Sequence, residues 1–384
     1  MLFAVPLAWL QLTREKLRLL VAVAGVAFAV ILIFMQLGFR KALFESSTRL
    51  HTALTGDLFL ISPQFDFVAQ PKSFSRRRLF QALSFPNVDA VSPVYLGLAL
   101  WKNPDNGKTR TIFIAGIDPA DHVLDLPGVR EQIELIRKPD VVLFDRAGRP
   151  EFGAIATAVA AGRPISAEVG NRKVTVGGLF EMGTSFGVDA TLLTSDTNFL
   201  RLFPQRERGL IDIGAVRLQR GADVRATRDA LRAALPNDVL VLTRDEYVRR
   251  EQTYWDTSTP IGYVFTFGVI MGLVVGAIIV YQILFADVSD HLAEYATLKA
   301  MGYPNRYLFG VVFQEAVILA VLGYVPGMLI SMVLYRVAGD ATNLPMRMTA
   351  PLAIDVVLLA VTMCCVSGAI ALRKIRSADP AEIF

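Results

Sequence analysis

Four stretches of the chain carry almost no charge, and each is long enough to cross a lipid bilayer. They occupy residues 19–39, 261–286, 308–337 and 351–372. A helical crossing needs about 20 apolar residues, and a helix keeps its backbone hydrogen bonds internal, as hydrocarbon demands. A polar block, residues 40–260, separates the first stretch from the other three, which follow one another closely. The expected fold is therefore an α-helical membrane protein with four transmembrane helices. Its polar domain is an insert between helices 1 and 2, not a tail.

The rest of the composition fits that frame. The chain is 53% hydrophobic and 19% charged, more apolar than a typical soluble domain. A net charge of +4 over 384 residues is too small to suggest a nucleic-acid partner. The sequence pI near 9.1 is better explained by Lys and Arg flanking the spans. The two cysteines, Cys364 and Cys365, are adjacent in the last apolar stretch, and neighbours rarely bridge; they are expected to be small helix-packing residues. With no cysteine, the insert must rest on its own core, for which its size suffices.

Lys and Arg in short flanks set orientation. Arg14, Lys16 and Arg18 precede the first span, Lys299 and Arg306 lie between the second and third, and Arg373, Lys374 and Arg376 follow the fourth. The other side has Arg40, Lys41, Arg336 and Arg347. The bias places both termini, the 287–307 loop and the 373–384 tail in the cytoplasm, with the insert and the 338–350 hairpin outside. The first span runs well past the length of a signal-peptide core and ends without a small-residue cleavage site, so it is expected to remain as an anchor. Residues 1–18, with Leu2, Phe3, Val5, Trp9, Leu10 and Leu12 ahead of the basic residues, are expected to lie as an amphipathic helix in the headgroup layer. The competing expectation is a plain extension of the first span.

Within the insert, residues 56–62 and 88–100 read as strands, with a helix at 75–84 capped by Ser75 and carrying Leu79, Phe80 and Leu83 on one face. The same order recurs later: a strand at 211–218, a helix at 223–235 with Val224, Thr227, Leu231 and Leu235 along a face, and a strand at 239–242. Each helix is followed by a Pro-Asn break, Pro86-Asn87 and Pro236-Asn237. Two β-α-β units are therefore expected to form one α/β layer. The middle segment, near 116–204, has β-type runs such as 173–179 and is expected to be a β-rich subdomain inserted into that layer.

No pattern in the chain argues for an enzyme. Asn106-Gly107-Lys108-Thr109 resembles the end of a phosphate-binding loop, but Lys102 stands where the first glycine is needed and Pro104 removes a backbone amide. A solvated turn before residues 111–114 is expected instead. His51, His122 and His291 have no ligand-spaced partners, and Pro119 and Pro127 place Asp118, Asp121 and Asp125 in turns. The acidic residues inside the spans, Glu315 and Asp355, are functional candidates by default. Each stands near a span end, where snorkelling or pairing with a basic flank is expected.

The loop between the second and third spans carries the most specific signal. From Asp290 to Pro304 it alternates Leu292, Tyr295, Ala296 and Met301 with Glu294, Thr297 and Lys299 at helical spacing, and Gly302 and Pro304 stand where a helix stops. Such a helix fits a groove on a partner, with Tyr295 and Leu298 as expected anchors; an inert connector is the alternative. Glu294-Tyr295-Ala296-Thr297-Leu298-Lys299-Ala300-Met301-Gly302-Tyr303, followed by Gln314-Glu315-Ala316, resembles the permease family that includes MacB, FtsX, LolC and LolE. Pro6-Leu7-Ala8-Trp9-Leu10-Gln11-Leu12 and Arg376-Ser377-Ala378-Asp379-Pro380-Ala381-Glu382 also resemble its cyanobacterial DevC branch.

The resemblance implies a non-catalytic permease subunit of an ABC exporter in a bacterial inner membrane. It implies a homodimer joined to a separate ABC ATPase subunit, which binds ATP and Mg; this chain binds no cofactor. Residues Glu294, Tyr295, Ala296, Thr297, Leu298, Lys299, Ala300, Met301 and Gly302 are then the coupling helix. ATP-driven closure is passed through the spans to the periplasmic domain (mechanotransmission), with a membrane-fusion adaptor and a TolC-like outer-membrane channel as partners. The cargo implied is a lipid, glycolipid or other amphiphile. The alternatives are an FtsX-like regulator of periplasmic partners without export, and a membrane-bound sensor, which would need an output domain that the short loops do not provide.

Overall fold

The computed structural model describes residues 7–372. The described residues form two compact units: a membrane unit, residues 7–41, 261–341 and 346–372, and the insert, residues 42–260 with 342–345. Leu2, Phe3 and Val5, the basic residues Arg373, Lys374 and Arg376, and the 376–382 motif lie outside the described residues.

Each expected span is a helix: Lys16–Ser47, Pro260–Asp290, Asn305–Thr342 and Ala350–Ala371. The first three overrun their apolar stretches, because a helix needs no apolar side chains once it leaves hydrocarbon. The third has 38 residues, about 57 Å at the helical rise, and so outreaches a hydrocarbon core of about 30 Å. A separate helix, Leu7–Arg14, precedes the first span and is broken from it at Glu15. It buries Ala8 and Leu12 and exposes Trp9, so residues 7–14 do not simply extend the span.

Small residues let the spans approach. A methyl group added at Gly276 of the second span would stand 2.6 Å from the Ala29 Cβ of the first, and one at Gly327 of the third 2.8 Å from Val30. Close backbone approach of this kind replaces the hydrophobic drive that lipid does not supply. Polar side chains add bonds across helices: Tyr324 donates to the Ala353 carbonyl (2.9 Å), Ser367 to the Ala277 carbonyl (2.9 Å) and Lys41 to Thr349 (2.7 Å). Cys364 is buried and Cys365 half-buried.

The insert is built on eleven strands: β1 (Leu58–Ile61), β2 (Phe74–Ser75), β3 (Val88–Lys102), β4 (Thr109–Ile117), β5 (Val141–Asp145), β6 (Ile165–Val169), β7 (Arg172–Phe180), β8 (Thr191–Ser195), β9 (Leu210–Ile211), β10 (Ile213–Leu218) and β11 (Leu240–Thr243). Nine form one sheet in the order β11-β1-β10-β3-β4-β8-β5-β7-β6, while β2 pairs with β9. In the antiparallel part, β1 lies between β10 and β11, with Phe59 opposite Ala215 and Leu242. Both faces of β1 are buried. Leu58 and Leu60 join Leu79, Ala82 and Leu231 of the helices Arg77–Leu83 and Val224–Ala234. Phe59 and Ile61 join Leu50 and Tyr247 from the helices Arg49–Ala53 and Arg244–Thr253 on the other face. The two helix-and-strand repeats thus share one layer, as the Pro-Asn breaks predict.

The middle segment departs from expectation. It is not a separate insert: β5–β8 continue the same sheet, through the parallel pairing of β4 with β8. The long β3 serves both parts. Residues 88–94 pair with β10 and 94–102 with β4, and Trp101 and Lys102 also meet Val169 and Glu168 of β6. The circuit β3-β4-β8-β5-β7-β6 therefore closes on itself, and closure removes exposed sheet edges. Trp101 is buried within it, donating to the Phe152 carbonyl at 3.0 Å.

Two local expectations also change. Ser75 sits in β2 opposite Leu210, so the helix begins after Arg76 rather than at a Ser75 cap. That helix buries Leu79 and Ala82, leaving Phe80 and Leu83 exposed. Residues 106–108 lie in the turn of the β3–β4 hairpin and Thr109 opens β4; the turn is closed by bonds from the Asn103 and Gly107 amides, with Gly107 at φ 71°.

Candidate functional site: the helix between the second and third spans

The second span ends at Asp290, and the helix Leu292–Ala300 follows after one turn at His291. The turn is held locally: the His291 amide donates to the Asp287 carbonyl (3.1 Å), and Nδ1 lies 3.7 Å from the Asp287 carboxylate. The far end is closed by Gly302 at φ 93°, a left-handed position that glycine takes without a Cβ penalty. The Tyr303 amide donates back to the Leu298 carbonyl (3.1 Å) and that of Met301 to Thr297 (3.0 Å). A bond reaching back five residues over a glycine is the Schellman closure. Pro304 then starts the next turn, where the Tyr307 amide bonds its carbonyl (2.9 Å).

The helix has two unlike faces. Tyr295 is 1% exposed and packs with Val288 of the second span and Val312 of the third, bordered by the half-buried Leu298, Tyr307 and Leu372. Ala293, Glu294, Thr297 and Met301 face outward; Met301 is 64% exposed and the neighbouring Tyr303 45%. Tyr295 is thus not free to anchor a partner, because its ring fills the chain's own crevice between two spans. Among the described side chains of this segment, the large exposed apolar groups are Met301 and Tyr303. Of the remaining predicted site residues, Ala296, Lys299 and Ala300 belong to the helix and Gly302 to its stop.

Charge ties the end of the second span to the start of the first, and the helix to the short helix that precedes the first span. Arg18 meets Asp290 at 2.7 Å and Glu15 at 3.1 Å, and Arg14 stands 4.0 Å from Glu294. Glu315, expected to reach a basic flank, is instead fully buried and faces the Asp287 carboxyl. Its position places it on the third span's inner face, toward the second span. Asp355 is exposed.

Two family profiles together span most of the chain. The MacB-like periplasmic core domain matches residues 19–234, and the FtsX-like permease C-terminal domain matches residues 266–380. The chain belongs to the MacB/FtsX family of ABC transporter permeases. An uncharacterised ABC transporter permease of Mycobacterium bovis and two of Mycobacterium tuberculosis are each 29% identical over 113 residues. Those residues are 29% of this chain and only 31% of the relatives' length. Among solved structures, the periplasmic region of MacB from Actinobacillus actinomycetemcomitans covers 53% of this chain and 96% of its own, at 11% identity and TM-score 0.37. The extracellular domain of YknZ, a noncanonic ABC-type transporter from Gram-positive bacteria, covers 49% and 99%, at 12% identity and TM-score 0.33. The helix Leu292–Ala300 lies inside the FtsX-like match, and the insert's strands β1–β10 lie inside the MacB-like one.

Proposed function

We propose that this chain is the membrane subunit of an ABC exporter, passing the motion of a separate ATPase subunit through its spans to the inserted domain. One observation carries the reading. The helix Leu292–Ala300 and the turn that stops it present Glu294, Met301 and Tyr303 outward while Tyr295 is planted between the second and third spans. A push on the outer face is then delivered to two spans at once, through a rigid and capped element.

In this reading the helix faces the cytoplasm and the insert the periplasm. The chain pairs with a second copy, and ATP and Mg are bound by the ATPase. An adaptor and a TolC-like channel complete the path, and an amphiphile such as a lipid or glycolipid is the cargo. The FtsX-like match over the membrane half also supports a regulator that moves periplasmic partners without export; a lipid that accumulates when the gene is deleted would favour export over regulation.

The two faces separate binding from transmission. Met301→Arg is expected to weaken association with the ATPase, since a charge replaces an exposed apolar contact. Tyr295→Ala is expected to leave association within about twofold while uncoupling hydrolysis from export. If Tyr295→Ala abolishes association and Met301→Arg does nothing, the assignment of the faces is wrong.

A further inference from the structure

His51 lies on the short helix Arg49–Ala53, which leads the chain from the first span into the inserted domain. Glu251 lies on Arg244–Thr253, the last helix before the second span. Some two hundred residues apart in sequence, they meet in the interior: His51 Nε2 is 3.5 Å from Glu251 Oε2, with the two side chains 0% and 3% exposed. The imidazole rests on the Tyr247 ring at 4.1 Å between centroids. Glu251 accepts from Trp255 Nε1 (2.9 Å) and the Val68 amide (3.0 Å). Neither imidazole nitrogen has a hydrogen-bond partner among the described residues, nor has the Tyr247 hydroxyl.

We propose that His51 and Glu251 form a buried proton-binding site, a one-proton clasp that fastens the entry helix of the inserted domain to its exit helix. The argument is first one of charge. A buried carboxylate or imidazolium with no full counter-charge carries a large desolvation cost. A single proton held between the groups makes the pair neutral as a carboxylic acid beside an imidazole, and gives an otherwise unpartnered nitrogen a donor to accept from. Isolated buried polar atoms are rare enough in folded proteins to call for such an explanation.

The surroundings supply no compensating charge. Arg244 is spent on backbone, donating to the carbonyls of His51 (3.3 Å), Thr52 (3.1 Å) and Gly56 (2.8 Å). Arg250 donates to the carbonyls of Phe65 (2.9 Å) and Pro63 (3.0 Å). Asp212 is matched by Arg206, while Tyr247, Tyr254 and Asp66 bring no positive charge. Burial accordingly pushes the Glu251 carboxyl up to about 8 and the His51 imidazole down to about 3. Immediately after the exit helix the backbone forms a π-helical turn, Tyr254–Ser258, of the kind often found at functional sites. The proton therefore sits where the exit helix meets an irregular turn leading to the second span.

The sign of the pH dependence follows from the two directions. From about pH 4.5 to about 8, folded Glu251 keeps a proton that the unfolded chain has lost, so its contribution to stability falls as pH rises. From about pH 3 to about 6.5, unfolded His51 holds a proton that the folded chain lacks, so its contribution rises. The two cancel between about 4.5 and 6.5 and leave a net loss from about 6.5 to 8.

The test measures hydrogen exchange in the helix Arg244–Thr253 and denaturant unfolding of the full chain in detergent, for the parent, Glu251→Gln and His51→Gln. The ratio of folded to unfolded protein for Glu251→Gln, relative to the parent, should rise by up to tenfold per pH unit between about 4.5 and 8. For His51→Gln the relative ratio should fall by up to tenfold per unit between about 3 and 6.5. Other titrating groups are common to the proteins and cancel. Constant offsets across the range would overturn the proposal. Should either variant fail to fold, infrared spectra decide: a protonated-carboxyl band at neutral pH that titrates away above about pH 8 and persists in Glu315→Gln, which removes the buried carboxyl of the third span, supports the clasp, and no such band in Glu315→Gln contradicts it.

Discussion

Single buried residues show which interactions this chain cannot lose. Asp212 is fully buried and accepts from the Leu96 amide (2.7 Å), Ser73 (3.0 Å) and Arg206 (2.5 Å), whose guanidinium also lies over the Tyr95 and Phe199 rings. Removing one partner strands the rest, and breaking a buried pair in this way commonly costs about 3–5 kcal/mol. Asp212→Ala should therefore destabilise the insert by about that much in denaturant titrations, whereas Arg217→Ala, on an exposed pair with Asp89, should cost under about 1 kcal/mol. Equal costs would mean that burial does not set the difference. Neither Asp212 nor the His51–Glu251 pair was legible in the sequence, which gives spacing along the chain and not proximity across a sheet. His51 looked unpartnered because Glu251 is distant in sequence, whereas Asp287, the neighbour of His291, stands only four residues before it.

Elements were legible where the signal was local. The helix at 223–235 came through, since Asp223 caps it by accepting from the Arg225 and Ala226 amides (2.8 and 3.1 Å) and Thr227 and Leu231 fall on its buried face. The Gly302 stop and the 106–108 turn followed from backbone chemistry alone. The helix at 77–83 did not: Leu79 with Phe80 and Leu83 fits helical spacing as well as Leu79 with Ala82, and only the sheet beneath decides which set is buried. The helix between the second and third spans failed in the same way. Its periodicity was plain, but the direction in which Tyr295 points depends on Val288 and Val312. The exit helix offers a test at this scale. Thr243 and Glu246 form a reciprocal cap, and Glu246 also holds Arg228 (2.8 Å) and Arg232 (3.2 Å) of the preceding helix. Thr243→Ala should cost about 1 kcal/mol, and Glu246→Ala more, because it also releases both arginines; denaturant midpoints of the two variants check the order.

For the molecule as a whole, length and charge revealed the four spans and the place of the insert, because a bilayer imposes a length that no tertiary contact can override. The closed circuit of strands around Trp101 stayed hidden, since β3 reads as one strand whether it serves one sheet partner or two. Span packing rests on glycines rather than on charge. Gly276→Leu should force the first and second spans apart, given the 2.6 Å approach to Ala29, and lower the thermal stability of the detergent-solubilised chain, whereas Gly310→Leu, with open space around it, should not. The central claim is that the outer face of Leu292–Ala300 receives the ATPase. Placing a photo-crosslinking amino acid at Met301, and separately at Tyr295, in cells that also make the ATPase tests this most directly. The account predicts an adduct with the ATPase from position 301 and crosslinks only within this chain from position 295; an ATPase adduct from 295 and none from 301 would contradict it.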